Sequence, residues 1–488
     1  MSQFYTHFTT KGNNILYIGR ENGRKFIRKV PYKPSLFIES KSPTKYISHD
    51  QTKWLSRIKF DSISDAREYI KLYDGIDGHE IYGMRNFEYA FISDQYPNDI
   101  DYDLSFVKIL YFDIETKCES GFPSMETFDQ PVIAITCQVG SKYTVFGLGD
   151  FTNNSSDNIT YIKCGSESEL LIKFVDYIKV ESPDILSGYN IAFFDIPYLI
   201  GRMDRVIERD YAKRISPWHD MRSRVMTINQ KTYTVYDFLG LVTLDYMEVY
   251  KKFSSGRPEN YKLDTLAKEE LGESKVQFDG NLRTLYTTDW QKFIEYNIHD
   301  VRIVSRLEEK LKLIEMILTI AFDAKVNFMD VFKQVRLWDI IIFNHLKKIK
   351  GVIPPKSESD KDVQYAGAAV KDPIVGKHNW LVSFDVNSLY PMLIVQYNIS
   401  PEKLIKSKRI DLNVDELLSN SLELEYLKND NLSLCANGHF FNRDSQGFLP
   451  NIMERMYEDR KKYKNEMSKY KSELEQVKKE LKSRGIDI

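Results

Sequence analysis

The hydrophobic pattern divides the chain into stretches of period two and stretches of helical period. Near the start, "NILYIGR" and "SLFIES" read as short strands, and "SISDAREYIKLYDG" has the spacing of one helix. Further on, "SFVKILYFDIET", "PVIAITCQV" and "YTVFGL" read as strands, the last two joined around a Gly-containing turn as a hairpin. "ESELLIKFVDYIK" is helical in period, "PDILSGYNI" returns to a strand, and "DIPYLIGRMDRVIE" to a helix. Strands followed by alternating strand and helix predict a mixed sheet with helices packed on it. "VMTINQKTYTVYD", near residues 225–238, predicts a second hairpin turning at Asn229-Gln230. A long helical pattern covers 286–318, and Pro354-Pro355 with the polar "KSESDKD" predicts a boundary. Beyond it, "LVSFDVNSLYPMLIV" predicts a buried strand ending on Asp385, and from about 451 the chain is helical in pattern and rich in charge. No internal repeat is evident.

A length of 488 residues predicts about three domains. The formal net charge is −2, so bulk charge does not point to nucleic acid, and any basic surface has to be gathered locally. Cys118, Cys137, Cys164 and Cys435 have neither zinc-ligand spacing nor an evident disulfide framework. The opening "MSQFYTHFTTKGNN" lacks the basic-then-apolar order of a signal peptide, and no apolar run approaches the roughly 18 residues of a membrane span. A cytoplasmic, reducing compartment is expected (the host cytoplasm if the source is viral), with no membrane partner.

Candidate chemistry lies in four carboxylates. "YFDIET" puts Asp113 and Glu115 two apart in a strand, hence on one face. Two adjacent anions repel and are tolerated most easily around a divalent cation, although a solvated strand edge is the commoner explanation for such a pair. Asp195 stands where a strand gives way to a helix, and a plain N-cap explains it as well. Tyr296 and Asp300 in "YNIHD" are i and i+4 on one helix face, where an exposed acid beside a half-buried tyrosine is the ordinary reading. The three in this order are much less expected by accident. Four carboxylates offer the oxygen ligands that two Mg²⁺ ions take, with Mn²⁺ as the substitute. Such a site activates water and clamps both oxygens of a phosphodiester displacement. Tyr296 could aim the water; His299 reads as a flanking surface residue and is given no role.

"FDIET", "NIAFFD" and "YNIHD" resemble the three exonuclease motifs of family B DNA polymerases, and the chain resembles in particular the replicative members from T-even-type bacteriophages. "VQYAGAAVKDP", Val363 to Pro373, resembles the family's Tyr-x-Gly linker, and "SFDVNSLYP" its first palm motif. The resemblance implies an α/β and α+β multidomain protein. Its parts would be an N-terminal domain over 1–104, with 316–355 packing on it, and an RNase H-like 3′→5′ exonuclease over 105–315. A partial palm over 356–450 and a first fingers helix over 451–488 would follow. It implies that Asp113, Glu115, Asp195 and Asp300 bind metal, that Phe122 stacks on a single-stranded DNA 3′ end, and that the 225–238 hairpin separates strands. In the palm it implies that Asp385 and the carbonyl of Val386 bind both catalytic metals. Ser388, Leu389 and Tyr390 would grip an incoming dNTP, with Tyr390 selecting deoxyribose. It also implies that Arg460 and Lys464, i and i+4, hold the β- and γ-phosphates, although on a lysine-rich helix most such residues are simply solvated.

The family pattern then breaks. Its second palm aspartate, in a Tyr-Gly-Asp-Thr-Asp-Ser-type hairpin, and its second fingers helix do not occur in these 488 residues. One aspartate and one carbonyl cannot position two metals. The expectation is a split polymerase working on primer-template DNA. A complementary chain would bring the rest of fingers, palm and thumb, together with the contact to a sliding clamp; a shortened chain is the other explanation. A stand-alone exonuclease with a vestigial palm and a non-catalytic nucleic-acid-binding regulatory module are the alternatives.

Overall fold

A computed structural model describes residues 3–484 except 120, 229, 277, 279, 356–370, 413–418 and 420–423. The chain forms two compact units. One comprises 1–36, 58–76 and 84–348; the other comprises 37–57, 77–83 and 349–488. Residues 1–104 are thus shared between them, and 316–348 belong to the first.

The first unit opens with an antiparallel sheet of β1 (Gln3–Lys11), β2 (Asn14–Glu21) and β3 (Arg24–Pro31). It buries Phe4, Tyr5, Phe8 and Ile18. The Tyr5 hydroxyl reaches the carbonyls of Ala321 and Val326 at 2.9 and 2.7 Å, which fastens this sheet to a helix more than 300 residues later.

The larger sheet contains β4 (Ile109–Thr116), β5 (Val132–Val139), β6 (Lys142–Gly147), β7 (Asn158–Lys163), β8 (Ile185–Gly188) and, at the far edge, Val242–Asp245. The order is β7-β6-β5-β4-β8 and then that edge strand. β4, β5 and β6 are antiparallel, and the other pairs are parallel. The hairpin expected around Gly140 is β5–β6. Alternation along β4 sends Leu110, Phe112 and Ile114 to one face, where they pack with α1 (Glu167–Glu181) and α2 (Asp195–Val206). The opposite face of the sheet packs against a long helix after residue 290: Ile133, Ala134, Tyr143 and Val145 meet Phe293, Ile294 and Ile298. Asp113 and Glu115 lie on that second face. The second hairpin is real but longer than expected, β9 (Met221–Ile228) with β10 (Lys231–Phe238), while Asn229 of its turn lies outside the described residues.

The helical pattern over 286–318 breaks into three elements: α3 (Leu282–Thr288), α4 (Trp290–Leu311) and α5 (Leu313–Ala324). Two capping events outweigh the continuous apolar period. The Asp289 carboxylate accepts the Lys292 N–H at 2.9 Å and starts α4 afresh. Lys312 turns left-handed at φ 55°, and the buried Glu308 carboxylate accepts the N–H groups of Ile314 and Glu315 at 3.0 and 3.1 Å.

In the second unit, Leu55, Tyr82 and Val352 form a small core with Phe37 and Tyr46. Helix α6 (Leu389–Tyr397) and the 36-residue helix α7 (Phe448–Ser483) are joined through Asn398, whose Oδ1 accepts the Gly447 N–H at 2.8 Å. The buried strand expected before Asp385 is not formed. Residues 381–386 have no regular structure and no ladder partners among the described residues, and Leu381 and Phe384 are 84% and 92% exposed. A strand needs a neighbour to satisfy its backbone groups, and none among the described residues pairs with this segment. The Tyr365-x-Gly367 part of the expected linker lies outside the described residues.

Candidate active site

β4 supplies two acids from one pleat face, and α4 lies across that face with its Tyr296–Asp300 turn over them. One carboxylate oxygen each from Asp113, Glu115 and Asp300 falls within 4.8 Å of the others. That spacing suits one or two small divalent cations with oxygen ligands. Asp300 Oδ1 is buried without a hydrogen-bond partner among the described residues, the mark of an acceptor shaped for something other than protein donors.

Asp195 stands beside this trio but is held differently. The β4–β8 pairing stops at Tyr111 and Ser187, so the Ile114 N–H on that edge has no strand partner. Asp195 Oδ1 takes it at 3.1 Å. The plain N-cap explanation fails, because Phe194 occupies the cap and Asp195 is the first helical residue. Its loop is set from below by Asp245, buried at the end of the edge strand, which accepts the N–H groups of Asn190, Ala192 and Met247 at 3.1, 2.9 and 3.0 Å.

Gathering so many acids in a buried place makes ionisation costly. Burial, then the negative charges of Asp195, Glu115 and Asp300, push Asp113 well above the ordinary carboxylate range. Burial with the Asp300 charge lifts Glu115 to about 8, and burial lifts Asp195 to about 7. One cation answers them. Lys275 Nζ lies 2.5 Å from Asp300 Oδ2 and donates to the Tyr296 hydroxyl at 3.1 Å. Burial, then the Asp300 charge, make that hydroxyl less acidic than a free phenol and outweigh the opposite pull of the ammonium, so it keeps its own proton.

Sequence reasoning did not find Lys275. It comes from a segment without regular structure, so no period or motif marks it. Asn297 was also missed, although it sits inside "YNIHD". It is fully buried, and its Nδ2 donates to Asp113 Oδ2 at 2.7 Å. The His299 ring lies 3.1 Å from the Ser274 carbonyl, and its charge acts on Asp300. Phe122 is 82% exposed, with its ring 5.3 Å from that of Phe194, next to Asp195.

Two family models match the chain: DNA polymerase family B, exonuclease domain, over residues 82–266, and DNA polymerase family B over residues 329–483. The DNA-directed DNA polymerases of Escherichia phage RB69 and Enterobacteria phage T4 are 32% and 30% identical to it, each over 96% of this chain and 54% of their own length. The chain belongs to DNA polymerase family B.

This family B chain spans about half the length of the curated phage relatives it matches. The delta catalytic subunit of Schizosaccharomyces pombe is similar at 26% identity over 74% of the chain. Asp113, Glu115 and Asp195 fall in the first matched segment, Asp385, Arg460 and Lys464 in the second, and Tyr296 and Asp300 between the two. In the second unit the polymerase-motif residues are spread out. Asp385 and Val386 are exposed in the irregular segment before α6, and Asp385 belongs to no carboxylate cluster among the described residues. Ser388 precedes α6 in a left-handed conformation, with Leu389 and Tyr390 in its first turn. Arg460 and Lys464 are one turn apart on the exposed length of α7. No helix among the described residues is long and apolar enough to cross a membrane.

Proposed function

We propose that this chain carries a two-metal 3′→5′ proofreading exonuclease and the first part of the nucleotidyl-transfer site of a replicative DNA polymerase. The convergence of Asp113, Glu115 and Asp300 under Tyr296 carries the reading. Mg²⁺ or Mn²⁺ bound there would acidify a water and offset charge on the phosphodiester. Asp195, coupled in charge to Asp113, would complete the ligand set. Tyr296, its hydroxyl kept protonated by burial and held in place by Lys275, would donate to and orient the water. Phe122, exposed beside Phe194, offers a stacking face for the terminal base.

In the polymerising half, Asp385 and the Val386 carbonyl would bind the catalytic metals. Ser388, Leu389 and Tyr390 at the start of α6, with Arg460 and Lys464, would hold the dNTP phosphates. Synthesis needs a second palm carboxylate that these 488 residues do not contain. A complementary polypeptide bringing it, along with the clamp contact, would also cover the apolar side chains of Leu381 and Phe384. This reading places the work in the cytoplasm, beside DNA and dNTP.

The test is cleavage of a 5′-labelled single strand with and without Mg²⁺. The wild-type chain is expected to shorten it from the 3′ end, and Asp113→Ala with Glu115→Ala to abolish shortening. Robust metal-dependent cleavage by the double variant would refute the site. Retained DNA binding with no cleavage by the wild type would favour the binding-module reading instead. Asp385→Ala is expected to spare cleavage while abolishing synthesis in any mixture that supports it.

A further inference from the structure

The geometry points to Asn297 and Thr136 as the pair that positions Asp113, a role that rests on the exonuclease reading above. Thr136 is the direct cross-strand partner of Asp113 in the β4–β5 ladder, so both side chains stand on the face that α4 covers. Asn297 is the residue of α4 after Tyr296, and its side chain descends between the two. Thr136 and Asn297 are both fully buried.

The chemistry of the three groups fixes the polarity of the chain. When it binds a metal Asp113 is ionised and only accepts, so the amide nitrogen of Asn297 faces it, 2.7 Å from Oδ2. The amide oxygen therefore faces Thr136, whose single hydroxyl proton is donated to it. With that proton committed, the amide cannot flip without setting its carbonyl against the carboxylate. The result is a locked orientation of Asp113: Oδ2 is held by the protein, and Oδ1 is left to serve an ion. Such a lock has work to do here. Asp195, Glu115 and Asp300 all repel Asp113, and without a fixed donor the carboxylate relieves that repulsion by turning away. Neither residue touches DNA or the reacting atoms in this scheme. Both act through Asp113, as partners behind a metal-binding carboxylate do.

The experiment is Mn²⁺ binding to the full chain, followed through the electron paramagnetic resonance signal of free Mn²⁺, with melting temperature recorded for every variant. Asn297→Ala is expected to weaken Mn²⁺ by about tenfold or more. Thr136→Val, which keeps the shape and loses the hydroxyl, is expected to weaken it severalfold, and Thr136→Ser, which restores the hydroxyl, to return affinity to within about twofold of wild type. A merely structural role would move the melting temperature and leave Mn²⁺ affinity alone. Affinities of Asn297→Ala and Thr136→Val both within about twofold of wild type overturn the inference. Should Asn297→Ala fail to fold, the Thr136→Val and Thr136→Ser pair decides it. The exonuclease reading fails separately, and takes the inference with it, if the wild-type chain binds Mn²⁺ no better than the Asp113→Ala, Glu115→Ala variant.

Discussion

Metal binding to this site is expected to be driven by pH, because protons and cations compete for the same oxygens. Glu115 is raised to about 8 and Asp195 to about 7 in the metal-free protein, and both are buried. At pH 6 Glu115 is protonated by about 100 to 1 and Asp195 by about 10 to 1; at pH 8 the two are roughly half and nine-tenths ionised. An ion that needs both charged therefore gains on the order of a few hundredfold in apparent affinity between pH 6 and pH 8. Near pH 7 its binding releases about 0.9 proton from Glu115 and 0.5 from Asp195, to which Asp113, also raised, adds its own. Calorimetric titration of the chain with Mn²⁺, repeated in buffers of different ionisation enthalpy, measures both quantities. The stability of the metal-free chain moves the other way. Its folded state keeps protons that the unfolded chain sheds above the ordinary glutamate value of 4.5, so stability falls as pH rises toward 8. Glu115 alone contributes a loss of about 2 kcal/mol between pH 6 and pH 8, and Mn²⁺ reverses it. An apparent affinity that changes less than about tenfold over that range, with no proton released, would refute the reasoning.

Three further outcomes are expected. Tyr296→Phe should slow single-turnover cleavage by about tenfold to a hundredfold while leaving single-strand binding unchanged, since only the hydroxyl that aims the water is lost; an unchanged rate reduces Tyr296 to packing. Gly188→Ala should lower the denaturant midpoint by the equivalent of about 2–3 kcal/mol, because a Cβ there would lie 2.4 Å from the Phe112 carbonyl oxygen and 2.6 Å from Ile191. His7 is half-buried with its Nδ1 out of solvent, and that desolvation with the nearby Arg222 charge lowers it from 6.5 to about 4. The unfolded chain thus takes up a proton that the folded chain refuses, and acidification from pH 7 to pH 5 should remove about 2 kcal/mol. The drop should be absent in His7→Gln, and equal pH profiles of the two melting temperatures would disprove it.

Local rules wrote much of this molecule into the sequence. Period two in "YFDIET" put Asp113 and Glu115 on one face of β4, and the i to i+4 spacing of "YNIHD" put Tyr296 and Asp300 on one turn of α4, because those periods belong to the backbone itself. Capping chemistry was legible too, and it overrides the apolar period. Asp289 and Lys312 cut a continuous apolar period into three helices, since a satisfied helix end is worth as much locally as another turn. The palm segment went the other way. "LVSFDV" has the composition of a buried strand, but a strand exists only through its neighbours, and none among the described residues pairs with it. What tertiary structure alone decided is the wiring between distant residues. Lys275 arrives beside Asp300 from irregular chain, Asp245 sets the loop before Asp195, and Thr136 and Asn297 meet over Asp113 from a strand and a helix 161 residues apart. None of these pairings carries a period or a motif. They follow from burial: a charged or polar group folded into the core gains by finding a partner there, and which one it found depended on how sheet and helix pack.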